Sequence, residues 1–239
     1  MTDTIVVPAR FHGPDGCGNG GYVSGLLARE VVGSAEVTLR LPPPLETPLD
    51  VRRGNDGVDL YAGATLIAQA LPADVRVDVP EPVDLATATE ASRAYAGLTR
   101  HPFPRCFVCG PERSDGLRIF AGQVPGRDVV AAPWEPALEF AGPNGQVRDE
   151  FVSAALDCAG GWSLEINPGR PLVLGRFAVR CDAPIVAGRP HVVIGWPLAV
   201  DGRKLFAATA ILSADGVPLA VATATWIAIA PAPTLPTDQ

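Results

Sequence analysis

One carboxylate in this sequence stands where an apolar helix has little use for it. Phe151 to Trp162 reads FVSAALDCAGGW, a helical run of Ala, Val, Leu, Cys and Gly with Asp157 in its middle. Burial there disfavours the charged form and raises the pKa, which makes Asp157 a better general base. The same carboxylate could instead attack a carbonyl as a nucleophile. On a continuous helix Glu150, Ser153 and Asp157 fall at i, i+3 and i+7 and form one polar stripe. Ser153 is then placed to orient the carboxylate or a water. Glu150 is a second candidate acid at the helix start, where the dipole favours its charge. The competing reading of Asp157 is a structural acid satisfied by strand N–H groups or an arginine.

The segment occurs twice. A shift of 129 positions aligns Phe11 with Phe140, Gly13 with Gly142, Pro14 with Pro143, Gly16 with Gly145, Tyr22 with Phe151, Val23 with Val152, Ser24 with Ser153 and Leu27 with Leu156, without a gap. This is duplication of one structural unit. The first copy has Ala28 at the position of Asp157, but it opens on Asn19-Gly20-Gly21. Free N–H groups at a helix start stabilise a developing oxyanion, and glycine lets a carbonyl approach the backbone closely. Asn19 can cap the helix or donate its amide to that carbonyl. The plainer reading of the triplet is a cap and a turn.

Each helix is followed by runs of β-branched and apolar residues broken by Asp-Gly or Ala-Gly, the punctuation of hairpins. They are AEVTLRLPPPL, TPLDVRRGNDG, VDLYAG and ATLIAQALPA in the first half, and PLVLGRFAVRCDAPIV, HVVIGWPLAVDG, RKLFAATAILSADG and VPLAVATATWIAI in the second. Ser213 to Val217 (SADGV) is the best turn signal. A helix apolar nearly all round must be buried on most of its surface, and a curved antiparallel sheet wrapped around it does that. The expectation is an α+β chain: one wrapped unit over 1–81, a connector over 82–105 with a short helix near Leu85 to Ala96, a second unit over 106–231, and a frayed tail over 232–239.

A net charge of −7 disfavours nucleic acid and anionic membrane surfaces as partners. No basic-then-apolar leader and no run of 18 apolar residues appear, so the default compartment is the cytoplasm. Five cysteines are an odd number and do not suggest a disulfide framework. Cys106 and Cys109 form a CxxC pair with His101 nearby, three ligands where structural zinc needs four. A turn with packed thiols is the reading taken.

In these residues and motifs the chain resembles the hotdog-fold thioesterase superfamily in its double-hotdog form. CFVCGPERSDGLRIF (Cys106 to Phe120) is similar to the Cys-Phe-x-Cys-Gly-Pro…Gly-Leu-x-x-x-Phe entry of thioesterases related to the phenylacetate-pathway enzyme. FVSAALDCAGGW is similar to their central helix, whose acid acts on the thioester. The resemblance implies a tandem hotdog that hydrolyses an acyl thioester. Its base or nucleophile would be Asp157, and helix N-terminal amides would form the oxyanion hole. Coenzyme A would enter as part of the substrate, with no separate cofactor, and a homodimer of such chains follows by analogy. Arg170, Arg176, Arg180 and Lys204 are candidate phosphate contacts, although exposed strand cations are the simpler reading.

Those relatives often open the helix with His-Gly-Gly, nine residues before the acid. Here that position is Arg148 in the second half and Asn19 in the first. Each half keeps one part of the pattern, so the expected site combines Asn19-Gly20-Gly21 with Asp157. The reciprocal set, Ala28 with Arg148-Asp149-Glu150, is expected to be inactive or remodelled. Hydratases of this fold need Asp followed five residues later by His, a spacing none of the three histidines has. The alternative is a catalytically inactive acyl-thioester or lipid-binding hotdog protein, because duplication with loss of motif parts would also produce one.

Overall fold

Strands form where alternation and glycine turns place them. The computed structural model describes residues 3–167 and 169–229, so the expected frayed tail over 232–239 lies outside the described residues. The first half holds β1 (Thr4–Val6), α1 (Gly20–Ala28), β2 (Ala35–Leu39), β3 (Pro48–Arg53), β4 (Val58–Ala62) and β5 (Thr65–Pro72). The connector carries α2 (Leu85–Arg93), capped by Asp84, whose carboxylate accepts the Thr87 N–H. The second half holds β6 (Gly122–Gln123), β7 (Val130–Trp134), α3 (Asp149–Ala155), α4 (Cys158–Ser163), β8 (Leu172–Cys181), β9 (His191–Asp201), β10 (Lys204–Ser213) and β11 (Pro218–Ala228). The sequence reading misses β1, β6 and β7. The first two are too short to alternate, and β7 is buried on both faces.

Among the described residues all strands join one antiparallel sheet of 11, in the order β1-β3-β4-β5-β2-β8-β11-β10-β9-β7-β6. The halves meet at its centre, where β2 pairs with β8 from Ala35 opposite Val179 to Thr38 opposite Arg176. The molecule is therefore α+β, with a large antiparallel sheet and few helices. Among the described residues, no helix is long and apolar enough to cross a membrane.

The duplication shows in the hydrogen bonds. Asn19 N–H donates to Phe11 O at 2.8 Å, and Arg148 N–H donates to Phe140 O at 3.0 Å. Gly13 N–H donates to Cys17 O at 3.0 Å, and Gly142 N–H to Gln146 O at 2.8 Å. The repeated aromatics meet: Phe11 stacks on Tyr22 at 4.3 Å, and Phe151 lies 4.6 Å from Phe140 and 5.6 Å from Tyr22. Arg10 forks onto Glu139, its counterpart in the other copy, at 2.7 and 2.9 Å. Helix α1 then lies against α3.

One expectation is corrected. Asp157 does not sit in the middle of a continuous helix; it sits at a break between α3 and α4. In an unbroken helix the Leu156 carbonyl would accept the Gly160 N–H. It accepts the buried Thr209 hydroxyl of β10 instead, at 2.7 Å, and Gly160 N–H turns to Asp157 O at 3.2 Å.

Candidate active site

The start of α1 and the break after α3 bring Asn19, Gly21 and Asp157 together. Asn19 caps α1, its Oδ1 accepting the Tyr22 N–H at 2.8 Å. Its Nδ2 donates to Asp157 Oδ2 at 2.8 Å, and Gly21 N–H donates to the same oxygen at 3.0 Å. Glycine at 21 is what permits this approach, since a Cβ there would stand 2.6 Å from Asp157 Cβ and 2.8 Å from Ser153 O. The other oxygen, Oδ1, is buried and has no partner among the described residues. Burial raises the Asp157 pKa to about 7, opposed by the Gly21 N–H and the Asn19 amide. One carboxylate oxygen is therefore anchored and the other is buried without a hydrogen-bond partner among the described residues.

Asn19 and Asp157 both line a cavity of about 280 Å³. Its walls include Leu172, Leu174, Ile166, Trp162, Trp226 and Ile227. Gly20 also faces it, and its N–H, the first of α1, has no acceptor among the described residues. Gly21 N–H, expected to serve an oxyanion, is spent on Asp157 instead. Gly20 is left as the available backbone donor from the triplet.

Comparison with known proteins returns no matching family model and no matching curated protein. Solved structures do match. The tesB protein of Mycobacterium avium subsp. paratuberculosis has a TM-score of 0.58 at 12% identity, over 94% of this chain and 90% of that one. Acyl-CoA thioesterase II of Mycobacterium marinum gives 0.57 at 12% identity, over 89% and 90%. A structure from Novosphingobium aromaticivorans assigned as a thioesterase gives 0.61 at 11% identity, over 94% and 94%. The chain shares the fold of these structures.

Within this fold, two expected site residues fall away from the cavity. Glu150 is buried where α3 packs on α1, with Arg148 at 3.3 Å and Arg29 at 3.9 Å from its carboxylate. Ser153 is buried against Gly25 and does not line the pocket. The break is the reason: the i, i+3, i+7 stripe assumes a helix that continues to Asp157. The reciprocal set is thus filled by ion pairs around Glu150. Arg176 pairs with Glu36 at 3.4 Å, and Arg180 forks onto Asp182 at 2.8 and 3.0 Å. Neither lines the cavity, nor do Arg170 and Lys204.

Arg40, which the sequence reading passed over, is exposed and lines it. It follows β2 directly. Cys158 was missed as a neighbour of the CxxC pair. The Cys106, Cys109 and Cys158 sulfurs all lie within 4.8 Å of one another on the cavity wall. Thiol and backbone hydrogen bonds hold the Cys106 thiol well below its ordinary range.

Proposed function

We propose that this chain is a tandem hotdog that hydrolyses acyl thioesters, with Asp157 as the base. The observation that carries this is the asymmetric carboxylate: Oδ2 fixed by Asn19 and Gly21, Oδ1 buried and free beside a largely apolar cavity. An apolar acyl group lies against Leu172, Leu174, Trp162 and Trp226. The thioester carbonyl takes the Gly20 N–H. Asp157 Oδ1 removes a proton from water as its oxygen attacks the carbonyl carbon, and Gly20 stabilises the resulting oxyanion. The C–S bond then breaks, and the proton passes from Asp157 to the departing thiolate. Free acid and free thiol are the products. Coenzyme A is the proposed carrier, in keeping with the acyl-CoA thioesterase II whose fold this chain shares, and Arg40 is the cation placed to meet its phosphates.

The test is thiol release from short, medium, long and aromatic acyl-CoAs by the wild type and by Asp157→Asn. Loss of a positioned base costs about a hundredfold or more, and that fall is the expected result. Undiminished turnover in the variant would remove Asp157 from the chemistry. Acyl-CoA binding with no turnover by the wild type on any ester would leave the acyl-thioester-binding reading in its place.

A further inference from the structure

The three sulfurs on the cavity wall come from two separate places in the chain. Cys106 and Cys109 close a tight turn in which Gly110 N–H donates to Cys106 O at 2.9 Å. That turn requires glycine at 110, because a Cβ would stand 2.5 Å from Cys106 N and 2.6 Å from both Cys106 O and Pro104 O. Cys158 opens α4, directly after Asp157. Its Sγ lies 3.7 Å from Cys106 Sγ. Two thiolates bound tetrahedrally to one zinc ion, at the usual zinc–sulfur distance of about 2.3 Å, stand about 3.8 Å apart.

N–H donors also reach the sulfurs. Asn19 Nδ2 lies 4.0 Å from Cys106 Sγ, and His101 Nε2 is 3.3 Å from Cys109 Sγ. A neutral thiol is a weak acceptor, whereas a thiolate accepts N–H donors strongly. Three buried thiolates within 4.8 Å repel one another unless a cation lies between them.

We infer that Cys106, Cys109 and Cys158 bind one Zn2+ ion. His101 is not the fourth ligand. Its Nδ1 accepts the Phe103 N–H at 2.9 Å, so the neutral ring carries its proton on Nε2, which faces Cys109 O at 3.1 Å and Cys109 Sγ. A ring bound this way donates to a ligand sulfur and cannot also offer the metal a lone pair. The fourth position is taken by water or a ligand from the cavity that all three cysteines line.

The test reads metal rather than turnover, so its outcome is separate from that of the thioesterase reading. Metal analysis of the purified full-length chain should find one zinc per chain. The stripped protein, its fold checked by far-UV circular dichroism, should take up one equivalent of Zn2+ in competition with a chromophoric chelator. One equivalent of Co2+ should give the intense visible bands of tetrahedral thiolate coordination. Cys106→Ser and Cys158→Ala should each weaken Zn2+ binding by more than about a hundredfold, beyond the 10–100-fold typical of losing an outer hydrogen-bond partner. His101→Gln should stay within that smaller range, and Cys17→Ser and Cys181→Ser should change nothing. Failure of the folded wild type to bind stoichiometric Zn2+ or Co2+ would overturn the inference. A Cys106–Cys158 disulfide in protein purified without oxygen would overturn it as well. Abolition of binding by His101→Gln would overturn the three-cysteine ligand set.

Discussion

Asn19 makes two hydrogen bonds that can be separated by substitution. Its Oδ1 caps α1 through Tyr22 N–H, and its Nδ2 holds Asp157 Oδ2. Asn19→Ala removes both, so the urea midpoint should fall by the equivalent of about 1 kcal/mol for the cap, and thiol release should fall with it. Asn19→Ser restores an oxygen at the cap but is too short to reach Asp157. Stability should therefore recover while turnover stays low. Equal recovery of both would reduce Asn19 to a cap. The pairing of Asn19 with Asp157 was legible in the sequence because each copy keeps a different part of one pattern. The direction of the Gly21 N–H was not legible, since a free helix-start donor and one already occupied by a carboxylate look alike in sequence. Nothing in the spacing of the cysteines indicated that Cys158 would reach the CxxC turn.

The helix break between α3 and α4 places Asp157, and Thr209 on β10 maintains it. Thr209→Val keeps the shape and deletes the hydroxyl that occupies the Leu156 carbonyl. Gly160 N–H can then return to Leu156 O, which closes the helix and rotates Asp157 away from Gly21. The expected cost in stability is about 1 kcal/mol. A misplacement of roughly 1 Å can cost a hundredfold, so kcat should fall between about tenfold and a hundredfold, with KM little changed. An unchanged kcat would mean that the break does not position the carboxylate. No periodicity announces this break, because its cause lies more than 50 residues further on, at a strand position that reads as ordinary core. Strands β8 to β11 were legible for the opposite reason: their apolar, β-branched runs and the Gly turns of the β9–β10 and β10–β11 hairpins are local. Glu150 and Ser153 do not share the cavity with Asp157, because the expected stripe carries helical spacing across a residue where the helix stops.

Joining both halves in one sheet makes each depend on the other. The β2–β8 ladder and the cluster of Phe11, Tyr22, Phe140 and Phe151 couple them, and Arg10 forks from one copy onto Glu139 of the other. The site depends on the same junction, since the cap comes from the first half and the carboxylate from the second. The duplication was legible from the aligned aromatics and glycines, but the joining strand pair was not, because edge and central strands of this composition read alike. Cooperativity can be read directly from where the tryptophans lie: all four, Trp134, Trp162, Trp196 and Trp226, are in the second half. Their fluorescence therefore reports that half alone, whereas far-UV circular dichroism reports the whole sheet. In urea the two transitions should coincide, as a single cooperative unit requires. Leu60→Ala opens a cavity at a fully buried position of β4 in the first half, at a cost of about 2–5 kcal/mol. If the junction couples the halves, the tryptophan-reported midpoint should drop by the same amount as the dichroism midpoint, although no tryptophan lies in the half that was altered. A fluorescence midpoint unmoved by Leu60→Ala would mean that the second half folds by itself, and the shared sheet would then not bind the halves into one folding unit.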